Sequence, residues 1–254
     1  MNLFDTDLSI MWPALIAGLL VAISHVPLGQ QVLARGIVFI DLAIAQVAGL
    51  GVIAASHFGL PIEGWSGQLA AGAAALAGAL LLTWTERKRP EAQEALIGIL
   101  FVLASTAQIL LLANDPHGGE NLKDLLAGQI LWVSTDHLIR TAMLTALFGV
   151  VWFLWRERIG RVGFYVLFAM VVTASVQLVG VYLVFTTLIV PAVATYRHSS
   201  KWQLALGYVV AIGSYIVGLA ASVVTDLPSS AVIVWAMGVI GLFVHLTGPR
   251  LGKR

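Results

Sequence analysis

The chain has 254 residues, 59% hydrophobic and only 11% charged, with a net charge of +1 and a mean hydropathy of +0.92. Soluble domains carry roughly 25% charged residues, so a water-facing surface cannot be covered, and a soluble enzyme, a disulfide scaffold and a disordered tail are excluded. The absence of cysteine removes thiolate metal sites and cysteine nucleophiles, and the near-neutral charge gives no reason to expect nucleic acid.

Met1 to Met11 include Asp5 and Asp7 but no basic residue, so the first apolar segment is expected to be a permanent span, not a secretory signal. Apolar windows of about 20 residues fall near 8–26, 37–58, 66–85, 92–113, 138–155, 162–179, 181–196, 202–224 and 231–247. They predict an all-α, polytopic membrane bundle of about eight or nine helices, in a single domain over 1–254. In the third window Gly67, Ala71, Ala75 and Ala79 recur every four residues. Such a ridge lets helix backbones approach closely in lipid and points to a compact bundle or a subunit contact. The stretch 121–137 is only moderately apolar and reads as a short helix beside the membrane. The sixth and seventh windows are short and nearly contiguous, and read as a tight hairpin or as one broken helix.

Charge orients this set. With the N-terminus outside, the cytoplasmic connections hold Arg35; Arg87, Lys88 and Arg89; Arg156, Arg158 and Arg161; Arg197 and Lys201; and Arg250, Lys253 and Arg254. Lys123 falls in an external loop, and Arg140 sits at the mouth of the fifth span. Asp5, Asp7, Glu63, Asp115, Glu120, Asp124 and Asp226 fall outside. This is the positive-inside pattern, with the N-terminus out and the C-terminus in.

Ionisable side chains at membrane depth are costly, which makes them candidates for function. Asp41 stands out in the second span, with Gln46 five residues on. Those positions lie about 140° apart around a helix and do not share a face. Glu94, at the start of the fourth span, reads as a solvated boundary charge. His25, His57, His117, His137, His198 and His245 form no His-Glu-x-x-His pattern. The pairs Asp115/His117 and Asp136/His137 lie in or beside the external connection and read as solvated loop residues. The tail from Gly248 to Lys253 lacks the spacing and the Ser/Thr of a phosphate loop. Any coupling to ATP must therefore come from a partner, and no nucleophile–base arrangement marks an enzyme.

Three segments carry a family likeness. The first runs from Pro27-Leu28-Gly29 through Arg35 to Phe39, with the second span reaching Gly49-Leu50-Gly51. The second is Glu94 to Phe101 with Gly98, continuing into Asn121-Leu122 and Leu126 to Leu131 through Gly128 and Gln129. The third is Gln177 to Gly180, then Thr187 to Ala194 with Pro191, an apolar helix broken by proline and small residues. In this order they cover most of the chain and resemble the permease subunits of the manganese/zinc/iron-type ABC importers. The resemblance implies a subunit of eight or nine helices that forms a homodimer in a bacterial inner membrane. Two cytoplasmic ABC ATPases would drive it, and an extracytoplasmic solute-binding protein would deliver zinc or manganese as substrate. No cofactor resides in the chain itself.

In that family an Asp and a His four residues apart on the second span mark the cation path. An ungapped match places Leu42 and Gln46 there, with Asp41 one residue early. Asn121, Asp124 and Gln129 occupy the polar positions of the short helix after the fourth span. The resemblance thus implies Asp41, Gln46, Asp124 and Gln129 as metal-contacting residues. Family members also dock their ATPase through a longer connection between the fifth and sixth spans. Here only Trp155 to Arg161 joins them, so Arg156, Glu157, Arg158 and Arg161 are expected at the ATPase contact. Another loop, Thr85 to Glu91, is the alternative for coupling. A divergent permease-like protein that works without a conventional ATPase is the other reading of the whole chain.

Overall fold

The computed structural model describes residues 3–60, 65–113, 115, 118–128, 130–155 and 160–249. Each apolar window falls on a helix. In chain order these are α1 (Leu3–Arg35), α2 (Ile40–His57), α3 (Trp65–Lys88), α4 (Gln93–Leu112), α5 (Gly118–Ala127), α6 (Thr135–Trp155), α7 (Arg161–Val179), α8 (Val181–Thr195), α9 (Ser200–Thr225) and α10 (Ser229–Thr247). Among the described residues, seven of them are long and apolar enough to cross a bilayer, and α8 is a shorter apolar helix. Trp12, Trp65 and Trp132 are exposed close to the starts of α1, α3 and α6, and Trp84, Tyr196 and Trp202 close to the end of α3, the end of α8 and the start of α9. Aromatic side chains at helix ends are what the interfaces of a bilayer select.

The first helix differs most from the sequence expectation. The window near 8–26 belongs to a helix of 33 residues that runs through Pro13 and Pro27. Pro27 cannot donate to the carbonyl four residues back, which ordinarily ends or kinks a helix. That carbonyl belongs to Ile23, and the Tyr208 hydroxyl of α9 donates to it at 3.1 Å. A side chain from another helix therefore replaces the missing donor, as proline-containing membrane helices require. The helix stops at Gly36, whose φ is +66°. Gly36 N donates to Leu33 O and Ile37 N to Val32 O, the paired bonds of a Schellman end. The same device, with Gly59 at φ +75°, ends α2.

The buried centre of the bundle is α1, which packs on α6, α7, α8 and α9, together with α8, which packs on α1, α9 and α10. Gly29 of α1 lies so close to the Leu188 carbonyl of α8 that no Cβ would fit. The small-residue ridge of α3 is buried within the chain at Gly67, Ala71, Ala75 and Ala79. Beside it, Ala70 and Ala74 meet Gly51 of α2, where a Cβ would fall 2.7 Å from the Ala70 carbonyl oxygen. The ridge thus serves packing inside one subunit, where α3 lies on α2 and α7. By contrast α4 and α10 turn apolar side chains outward, including Val102, Leu103 and Leu110, and Val239, Leu242 and Phe243.

Between α7 and α8 stands a single residue, Gly180, at φ +84°. The two helices do not run side by side: α7 lies on α3 and α6, whereas α8 turns into the α1–α9–α10 group. The start of α7 lies at the end of α1, where Arg35 covers Phe164, and the second half of α8 returns toward that end, with Leu188 against Gly29. The chain therefore reverses at Gly180, and of the two sequence alternatives it matches a hairpin, one whose arms diverge. The segment after α5 crosses this junction. Gly128, at φ +66°, meets Val179 and Gly180 backbone to backbone, and a Cβ on Gly180 would sit 2.6 Å from the Ala127 carbonyl carbon. The stretch 121–137 does begin with a short helix, α5, which packs against α7 and α8, and Ile130 just beyond it is buried.

A side chain at Gly180 must adopt a left-handed conformation and also displace main chain. Gly180→Ala is expected to lower stability in detergent by about 2 kcal/mol or more. Gly238→Ala, where a Cβ meets open space in α10, is expected to be neutral or slightly stabilising. Thermal unfolding followed by gel filtration compares the two.

Candidate functional site

Asp41 is the second residue of α2 and is fully buried, and neither carboxylate oxygen has a hydrogen-bond partner among the described residues. Burying such a group without partners is among the least favourable arrangements a protein can hold. The one compensation in its own helix is electrostatic. The first turn of α2 presents unpaired backbone N–H groups and the positive end of the helix dipole.

Gln46 is also buried, but it is committed elsewhere. The Gln108 amide of α4 donates to both the backbone and the side-chain oxygen of Gln46, each at 2.8 Å. Gln46 therefore ties α2 to α4, while Asp41 points away from it around the helix. The structure does not bring the two together. Gln108 was not singled out by the sequence reading, although an amide inside the apolar run Leu100–Leu112 was the signal for it. Its own Oε1 is buried without a partner.

A second overlooked group lies on α1. His25 is fully buried, with Nδ1 3.0 Å from the Val21 carbonyl and 3.0 Å from Ser24 Oγ. With Nδ1 protonated and donating to that carbonyl, Nε2 presents a lone pair, and no protein group meets it. On α8 and α9 the buried Thr187 and Tyr215 hydroxyls share a bond of 2.9 Å. Thr173 Oγ of α7 is buried without a partner. The described residues hold no cluster of three or more His, Cys, Asp or Glu side chains able to cage a metal ion. What the bundle interior offers is a set of separated donors on α1, α2 and α7. Asp124 lies on α5 with its side chain outside the described part, and Gln129 lies outside the described residues.

At the end of the bundle that carries the basic residues, a polar brace joins three helices. Thr85 Oγ donates to Gln93 Oε1 at 2.9 Å, and Gln93 Nε2 donates to Leu82 O at 3.0 Å and to the Tyr165 hydroxyl at 3.3 Å. Arg161, the first residue of α7, pairs with Glu86 of α3 at 3.5 Å. The Arg35 guanidinium lies 4.0 Å over the Phe164 ring. Arg156, Glu157 and Arg158 lie outside the described residues. Toward the opposite end Arg140 is buried, ion-paired with Asp136 of its own helix and 5.3 Å from the Trp65 ring centroid.

The described residues thus form long apolar helices around a few isolated polar side chains, seven of the helices long and apolar enough to cross a membrane. The sequence matches the model of the ABC 3 transport family over residues 7–161 and 156–247, and the chain belongs to that family. It is a membrane-embedded permease subunit of the ABC type and not itself an enzyme. Its fold resembles PsaBC from Streptococcus pneumoniae, solved in complex with a Fab, with a TM-score of 0.76 and 21% identity over 93% of this chain and 91% of that one. It also resembles a metal-chelate type ABC transporter in an inward-facing conformation, with a TM-score of 0.71 and 16% identity over 92% and 85%. No curated protein matches the sequence.

If Asp41 is kept for what it binds and not for what it holds together, removing its charge should not weaken the fold. Asp41→Asn is expected to leave the melting temperature in detergent unchanged or higher. A loss exceeding about 1 kcal/mol would instead assign the carboxylate a structural partner.

Proposed function

We propose that this chain is the permease of an ATP-driven importer for a divalent metal ion, zinc or manganese. The observation that carries the reading is Asp41, a buried carboxylate without a partner on the second helix of an ABC 3 family permease. A carboxylate that no protein group satisfies is suited to meet a cation in passage. Carboxylate, amide and imidazole donors suit zinc and manganese alike. His25 Nε2, buried on α1 without a hydrogen-bond partner among the described residues, is a nitrogen donor of the same kind elsewhere in the bundle. Gln46 contributes by holding α4 on α2, and Asp124 and Gln129 are placed in this reading at the external mouth.

The working unit is a homodimer in a bacterial inner membrane, with the N-terminus outside and the basic ends of the helices in the cytoplasm. An extracytoplasmic solute-binding protein delivers the ion. Two cytoplasmic ATPases, contacting the region of Arg156, Glu157, Arg158 and Arg161, close and reopen the cytoplasmic side. Alternating access of this kind needs donors weak enough to release the ion, which separated side chains provide better than a closed cage.

Proteoliposomes containing the chain and its co-purified ATPase are expected to take up zinc or manganese on addition of ATP. Competition between the two ions assigns the preference. Asp41→Ala is expected to reduce uptake at least about tenfold with assembly intact, since the lost group is charged and desolvated. Uptake at the wild-type rate would remove Asp41 from the path.

A further inference from the structure

α2 has no side-chain cap of its own: Phe39, the residue before it, makes no capping hydrogen bond with its side chain. The cap comes from another helix. Glu94, in the first turn of α4, accepts a hydrogen bond from the Phe39 backbone N–H at 3.3 Å. Its second oxygen, Oε2, is buried and has no partner, so Glu94 is not the solvated boundary charge that its position implied. A negative group at that place also faces the positive end of the α2 dipole. The Phe39 ring is stacked on Phe185 of α8, with centroids 6.5 Å apart. Two residues further along the same turn is Asp41.

We infer that Glu94 is a positioning residue that fixes the start of α2 and thereby the placement of Asp41. Glu94 adjoins Gln93, whose side chain braces α4 to α3 and to the start of α7. Two consecutive residues of α4 thus grip the α3–α4 turn on one side and the Asp41 helix on the other. The turn itself exposes Arg87, Lys88, Arg89 and Glu91. From there, or from Arg161 through Glu86, hydrogen bonds through Gln93 and Glu94 lead to the Phe39 N–H, and two residues of main chain at the start of α2 lead on to Asp41. The functional weight of that position rests on Asp41 lining the cargo path, as proposed above; the placement itself does not.

Because the chain contains no cysteine, a single introduced thiol reports its own site. The thiol of Asp41→Cys in the full chain is expected to react slowly with a small maleimide, as Asp41 is fully buried. Adding Glu94→Ala is expected to raise the labelling rate about tenfold or more, the effect of losing a hydrogen bond to a charged group. Glu94→Gln keeps the acceptor and is expected to stay within about twofold of the parent. A thiol at Ala211→Cys, buried in α9, is expected not to respond to either change. Equal labelling at position 41 with Glu94 and with Glu94→Ala would overturn the inference. So would a parallel rise at position 211, or a rise with Glu94→Gln as large as with Glu94→Ala. Should Glu94→Ala fail to fold, Glu94→Asp, which keeps the charge but shortens the reach, is expected to raise labelling at position 41 alone. Unchanged labelling there would be equally fatal. The thiol reads position whether or not the protein moves metal, so failed uptake by the wild-type complex would sink the proposed function and leave this result standing.

Discussion

The crossing of Gly128 and Gly180 is the constraint on which the rest of the bundle depends. Both residues have positive φ, and each occupies the space where the other's Cβ would stand. A bilayer tolerates irregular backbone only where protein buries it. The break between α7 and α8 satisfies that condition because the segment leaving α5 covers it. In return the break lets α7 lie on α3 and α6 while α8 turns into the centre against α1. That placement brings Leu188 against Gly29. Either glycine with a side chain would push the segment after α5 away from the α7–α8 junction.

Within that frame the polar groups fall into two kinds. Some complete the structure: Tyr208 on the Ile23 carbonyl, Gln108 on Gln46, and Gln93 between α3, α4 and α7. Each adds a hydrogen bond between helices to the van der Waals packing that holds them together in lipid. Others complete nothing. Asp41 and His25 Nε2 are buried, without a hydrogen-bond partner among the described residues. The satisfied groups account for the joining of the helices, and the Asp41 carboxylate and His25 Nε2 do not.

The helices were legible in the sequence because hydropathy alone selects them and every apolar window became one. Their ends were less so. Pro27 reads locally as a stop, and the donor that cancels it is 185 residues away from Ile23. The break at Gly180 was visible as a gap between two short windows, but its direction depends on Gly128, which no local pattern links to it. Asp41 was found because a charge in an apolar run is conspicuous. Gln46 was found for the same reason, yet its role depended on Gln108, an amide that the apolar count of α4 concealed. Glu94 was misread for the opposite reason. At a helix start a carboxylate looks solvated, and only the packing of α2 beside α4 turns it into a cap.

The contrast between Glu94 and Asp41 bears on how such a subunit can move. Both carboxylates stand at the start of α2, one from outside the helix and one within it. Glu94 lends one oxygen to the backbone and so fixes where the helix begins. Asp41 lends none, so its charge is free to meet a ligand without unmaking a hydrogen bond first. A site that had to release a structural partner before binding would couple every binding event to local unfolding. Assigning the two tasks to two residues avoids that coupling. On the reading proposed above, a shift of the α3–α4 turn reaches the start of α2 through Gln93 and Glu94, and the Asp41 carboxylate goes with it.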